Sequence, residues 1–298
     1  EFLEDRTYQS LKRIPDSVAW SQRWAARLRV YRLLRSALGG NESPVPDRFE
    51  MAAEVEALLD FRGGLEVYDR NEAWRKDVVR HFEHNLRAMV ALAQDAGVPV
   101  ILMRPPSNLR NSPPFKSQHR EGLSLDETLA WEEAIASAQS FYQGEMKRAV
   151  TNLQAALAID DRYAATHSGL GKCYEVLGRR QAAAAAFSRA LEEDICPLRM
   201  IEPLVAGMTR VGRELKVPLI DAHALLERES RLGILGGDQL VDHVHPSIDG
   251  HKVLASAILA EMEKAGWVKL SGGFAERREA SYRKHFEALD AGYFAAAR

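Results

Sequence analysis

Cysteine is scarce in this chain. Its 298 residues contain two, Cys173 and Cys196, which is too few for a disulfide framework and at no spacing that suits a metal. No run of about 18 apolar residues occurs, so the sequence offers no candidate membrane-spanning helix. Neither sign of charge prevails: 40 Lys and Arg face 42 Asp and Glu, a net of -2. That balance gives no general attraction for nucleic acid or an acidic polymer, so any charged partner must be recognised locally. What the chain does have is apolar side chains, at 46%, enough for a sizeable buried core.

The apolar residues fall into a helix-then-strand pattern that occurs twice. Val78, Phe82, Leu86, Met89, Ala93 and Ala96 recur at three- and four-residue steps and predict a helix over residues 72–96, ended by Gly97. GVPVILMRPPSN comes next, with an apolar run too short for a helix and closed by two prolines, which predicts a buried strand over residues 100–103. A second helix over residues 200–215 leads into KVPLIDA and a strand over residues 217–220. Helix and buried strand in alternation predict a parallel α/β architecture whose ligands sit beyond the carboxyl ends of the strands. Ahead of this core, residues 16–38 place Trp20, Trp24, Leu28, Tyr31, Leu34 and Leu38 on one face, with arginines off it. This is an amphipathic helix that suits the flank of an α/β domain and leaves membrane association of a longer chain open.

Between the two strands Gly144, Ala149, Leu153, Ala156 and Leu157 recur as Gly178, Ala183, Phe187, Ala190 and Leu191, each 34 residues later. Small residues stand where two helices of a hairpin must approach closely, and the pattern resembles a pair of tetratricopeptide repeats over residues 129–194. Two units are fewer than an independent solenoid needs, so the resemblance implies that they lean on the α/β core. It also implies a surface suited to a peptide or protein partner. The expected domains are residues 1–125, an α/β portion; 126–195, the helical insertion; and 196–298, the rest of the α/β core.

The densest chemistry lies in DHVHPSIDGH, residues 242–251. As metal ligands His243 and His245 are poorly placed, because an i, i+2 pair in extended chain points to opposite sides, and no second cluster has ligand spacing. His81 and His84 lie on a charged helix flank and read as solvated. No metal or cofactor is expected. Asp242 and His245 make a D-x-x-H turn, in which a carboxylate can accept one ring proton of an imidazole that acts as general base. Pro246 ends the turn, and Ser247 or Asp249 would cap the helix after it. Arg104 and Asn108, after the first strand, and Arg199, where the repeats rejoin the core, are candidate contacts for substrate oxygens, a carboxylate or a phosphate. A fixed loop for the first two and an internal ion pair for the third are the alternatives.

The string DHVHPSIDGHKVLASAIL after VPLIDAHALL resembles the last motif block of the SGNH (GDSL-type) esterase and acyl-hydrolase superfamily. The resemblance implies a three-layer, flavodoxin-like parallel sheet and gives Asp242 and His245 the roles of Asp and His in a Ser-His-Asp triad. It implies an acyl ester or an acylated carbohydrate as substrate, hydrolysed or, in a cell-envelope acyltransferase, passed on. The opening EFLEDRTY is similar to the residues just after the family's oxyanion-hole asparagine, so the nucleophile and oxyanion blocks are expected upstream of Glu1 and the core is expected to be truncated. No Gly-Asp-Ser turn occurs in the 298 residues: Ser36, Ser107, Ser112 and Ser247 lack a glycine before them in a strand-turn-helix setting. The edge of the first strand should accordingly be unpaired. From a different class, the reading that competes is a peptide-binding helical module on a catalytically degenerate α/β support.

Overall fold

The computed structural model describes residues 64–140 and 145–289. The amphipathic helix expected over residues 16–38 lies outside them. Packing divides the chain into two units, Glu1–Ser247 and Ile248–Arg298.

Among the described residues the first unit has a short 3-10 helix, Gly64–Val67, and then a long helix, α1 (Glu72–Asp95), whose Asn71 side chain accepts the Trp74 amide at 2.8 Å as an N-cap. Gly97, at φ +71°, provides the left-handed residue that ends it. The chain then forms β1 (Leu102–Arg104) and, after a long irregular segment, α2 (Leu125–Ser140), α3 (Met146–Ile159), α4 (Ala164–Val176) and α5 (Arg180–Glu193). Next come α6 (Glu202–Glu214), β2 (Leu219–Asp221) and the short α7 (Ala222–Glu229). The protein is a mostly helical α/β molecule with a small parallel sheet. Leu102 pairs with Leu219, Met103 with Ile220 and Arg104 with Asp221. Both strands start two residues later than the apolar runs suggested, because Val100 and Val217 are spent on packing rather than on the ladder. Among the described residues the sheet has these two strands, so each is paired along one edge.

Helix α1 packs on α6, and Val90, Leu102, Met208 and Val217 bury together with Phe82 and Leu86 at their border. The phase of α1 corrects the sequence reading. Beyond Leu86 the buried position is Val90, 2% exposed, whereas Met89 is 66% exposed. An i, i+4, i+8 row drifts little along a 3.6-residue helix, and Phe82, Leu86 and Val90 form such a row.

Helices α2 and α3 form one hairpin and α4 and α5 a second, stacked through α3 and α4. Ala138, Ala149, Leu153, Leu170 and Cys173 fill the space between them. The second hairpin shares its other side with the α/β part, since Phe187 and Leu191 pack with Leu109, Ile201, Leu204 and Ile234. Close approach depends on Gly171, where an added Cβ would lie 2.6 Å from the Phe187 ring. Gly171→Ala gains about 1 kcal/mol of helix propensity but overpacks an interior that has no slack, at a cost of about 1–3 kcal/mol. We expect a net loss of stability and a lower denaturant midpoint, and an unchanged or raised midpoint would contradict this packing.

Buried carboxylates bind the irregular segment 105–124 to the hairpins. Asp160, fully buried, accepts from the His119 ring at 2.7 Å and from the Arg162 amide at 2.9 Å. Asp194 accepts from the amides of Phe115 at 2.9 Å, Lys116 at 3.0 Å and Cys196 at 3.1 Å. Buried acids of this kind persist because every oxygen is satisfied.

The second unit contains α8 (Ile248–Lys264) and α9 (Phe274–Glu287). Ala255, Ile258, Leu259, Met262, Phe274 and Tyr282 line the groove between them. The Lys252 ammonium lies 5.0 Å from the Phe286 ring centre.

Candidate active site

Residues 239–247 form a tight reversal closed by its own backbone. The Val241 amide donates to the His245 carbonyl at 2.9 Å and the Ser247 amide to that of Gln239 at 2.8 Å, with Leu240 and Pro246 opposed as an antiparallel bridge. Asp242 sits at the start of the turn, and its short side chain reaches back over it. Oδ1 accepts the amides of Val244 at 2.8 Å and His245 at 2.7 Å. This is the local bonding at which Asp excels, and it fixes the carboxylate before any imidazole approaches. Oδ2 then lies 2.6 Å from His245 Nδ1.

Desolvation by itself would push the Asp242 carboxyl up. The His245 and Val244 amides, the imidazole hydrogen bond and the charge of that ring outweigh it and bring the pKa down to about 2. Asp242 therefore stays ionised at neutral pH and holds the Nδ1 proton of His245, which leaves Nε2 as the ring's acceptor. The His245 side chain is 69% exposed, so a group in the surrounding solvent can reach that nitrogen. Tautomer, orientation and access are what a general base requires.

His243 points elsewhere. Its ring stands edge-on to Phe115 with centroids 5.5 Å apart, and its Nδ1 is 4.0 Å from Asp242. Among the described residues no group of three or more His, Cys, Asp or Glu side chains is arranged to hold a metal ion.

The other candidates lie around the carboxyl ends of the strands. Arg104, the last residue of β1, donates to Asp221, the last of β2, at 3.0 Å while keeping a quarter of its side chain exposed. Asn108 is buried and faces inward, donating through Nδ2 to the Asp242 carbonyl at 2.9 Å and through its amide to the His243 carbonyl at 2.9 Å. Arg199 is also buried, with Nη1 donating to the carbonyls of Asn108 at 2.8 Å and Ser112 at 2.7 Å, and with Nη2 3.5 Å from Asp194. The structure thus joins Asn108 to the turn bearing Asp242 and His245, and Arg199 to Asn108.

His223, to which sequence reasoning gave no role, lies beneath this region. Its Nδ1 accepts the Ser107 amide at 3.2 Å. Burial, and then the neighbouring Arg104 charge, lower its pKa to about 4. No local signal marks it, since DAH reads as an ordinary helix start.

Linkage sets the sign of its contribution to stability. The unfolded chain takes up this proton near pH 6.5, and the folded chain only near 4. Stability therefore falls as the pH drops through that window, by about 3 kcal/mol in all. His223→Gln keeps an acceptor without a proton site, so urea midpoints should vary less between about pH 7 and pH 4.5 in this variant than in the parent. Identical slopes would contradict the assignment.

Compared with known protein families, with curated proteins and with solved structures, the chain matches none.

Proposed function

We propose that Asp242 and His245 are the acid–base pair of a serine acyl-ester hydrolase of SGNH type, and that β1 and β2 belong to its parallel core. The 2.6 Å contact between Asp242 Oδ2 and His245 Nδ1, on an imidazole side chain that is 69% exposed, is the observation that carries this reading. A serine hydroxyl presented to Nε2 gives its proton to the ring as its oxygen bonds to the ester carbonyl carbon. The Asp242 carboxylate holds the imidazolium that forms. The ring then returns the proton to the leaving alkoxide as the tetrahedral species collapses to an acyl-serine. In the second half a water gives its proton to Nε2 and its oxygen to the acyl carbon; the bond between that carbon and the serine oxygen then breaks, the ring returns the proton to the serine oxygen, and the acid is released. If the acceptor is a sugar hydroxyl instead of water, the same residues carry out acyl transfer.

The nucleophile is a serine outside residues 64–140 and 145–289, brought to the edge of β1 that is unpaired among the described residues. Arg104 is the candidate for contact with a substrate oxygen, since part of its guanidinium remains exposed. The test is hydrolysis of an aryl acetate by a polypeptide that contains these 298 residues and its serine-bearing segment. His245→Ala should remove the activity, and turnover that survives this substitution would refute the proposal.

A second reading is favoured by the two stacked hairpins α2–α5, over which the 34-residue recurrence of the sequence runs. In it, these helices present a surface to a peptide. Peptide capture that is lost with residues 126–195, in a protein without ester hydrolysis, would support that reading over the first.

A further inference from the structure

Asn108 is satisfied at all four of its polar groups. Its amide and Nδ2 donate to the carbonyls of His243 and Asp242, both at 2.9 Å. Its Oδ1 accepts the Asn111 amide at 2.8 Å, and its carbonyl accepts Arg199 Nη1 at 2.8 Å. Buried at 4% exposure and bonded at each of these groups to the protein itself, the asparagine is engaged with its own chain and keeps one Nδ2 hydrogen besides. It holds the carbonyls of two successive peptides, Asp242–His243 and His243–Val244.

The orientation of these two peptides decides where the Asp242 carboxylate and the amides of Val244 and His245 meet. Arg199 in turn braces Asn108 and Ser112 with one nitrogen, and its side chain is 2% exposed. Asp194, fully buried at the end of α5, stands beside the other nitrogen and also accepts the Phe115 and Lys116 amides. A continuous buried series thus leads from the second helical hairpin to the DHVHP turn.

We infer that Asn108 is a positioning residue for the Asp242–His245 pair, and that Arg199, anchored by Asp194 where the hairpins rejoin the core, positions Asn108. The helical hairpins then set the geometry of the pair, in addition to any surface they present. The inference rests on the reading of Asp242 and His245 as an acid–base pair, but it is tested on the chain itself without ester turnover.

In an NMR titration of the 298-residue protein, the Asp242 carboxyl carbon should titrate near 2 and the His245 ring nitrogens should report the Nδ1-protonated tautomer. Asn108→Ala should move the Asp242 midpoint toward 3.8 and mix the tautomers, while the amide resonances of α4 and α5 stay in place. Arg199→Lys keeps the charge, but its single ammonium replaces the two nitrogens that reach the carbonyls and Asp194, so it should shift the midpoint in the same direction by less. In the double variant the shift should equal that of Asn108→Ala, because the two residues act in series. If Asn108→Ala does not fold, Arg199→Lys carries the test alone. An unmoved midpoint and tautomer in folded variants, or additive shifts, would overturn the inference. Its failure would leave hydrolysis sensitive to His245→Ala, whereas failure of the hydrolase reading would leave the NMR couplings intact.

Discussion

Asp242→Asn is expected to lower kcat by a factor on the order of 10⁴ in the serine-bearing polypeptide, with little change in KM. The carboxamide can still accept the Val244 and His245 amides through its oxygen, so the turn persists. Its amino group, however, would face His245 Nδ1 and favour the tautomer with the proton on Nε2, which no longer accepts from serine. The nearby His243→Ala is the matched control. That ring faces Phe115 and contributes nothing to proton transfer, so activity should stay within a few-fold of the parent. If Asp242→Asn retains activity within about tenfold, the pair is not the acid–base machinery.

The second large effect is expected far from the turn. Glu193, at the end of α5, is 4% exposed, and its carboxylate meets three guanidinium groups: Arg70 at 2.6 Å, Arg162 at 2.7 Å and Arg189 at 2.8 Å. Arg70, 9% exposed, precedes α1, so this cluster ties the hairpins to the start of that helix. Glu193→Ala would leave the Arg70 charge buried beside a second arginine with no counter-charge on its Nη1. Removing one partner of such a cluster costs about 3–5 kcal/mol, a large share of the stability of any domain. Arg189→Ala, from the half-exposed rim of the same cluster, should cost under about 1 kcal/mol. Urea unfolding of the two variants distinguishes them, and a small effect in both would show that the cluster is solvated.

Those two sites differ in how far they could be read from the amino-acid order. Asp242 and His245 belong to one turn, and both the spacing and the Asp-specific bonding that orders the carboxylate are local, so D-x-x-H carried the geometry on its face. The strands and the helices α1 and α6 were legible for the same reason, since apolar period and flanking Gly or Pro act within a few residues. The phase of α1 was not legible. Both Met89 and Val90 fit an apolar stripe, and only contact with Leu102 and Val217 selects Val90.

Asn108, Arg199 and Glu193 fall in a third class. Their partners lie 134, 91 and 123 residues away, and nothing in their own neighbourhoods says whether a polar side chain turns to solvent or to the interior. RPPSN and DICPLRM looked like loops that offer donors to a ligand. In the folded chain the asparagine and arginine of those loops point at carbonyl oxygens of the protein, because the long segment 105–124 has backbone groups that need partners once it is pressed between hairpins and turn. The 34-residue repeat was visible in sequence, but the sharing of Phe187 and Leu191 with Ile201 and Ile234 was not.

The central claim is that His245, aimed by Asp242, activates a serine toward an acyl carbon. A fluorophosphonate probe tests it most directly, because it bonds covalently to a serine only when a base removes the hydroxyl proton. Applied to a polypeptide that contains these 298 residues and the proposed nucleophile, it should leave a single phosphonylated serine by mass spectrometry, and His245→Ala should abolish the adduct. An adduct that forms equally well without His245, or ester turnover with no labelled serine, would contradict the claim.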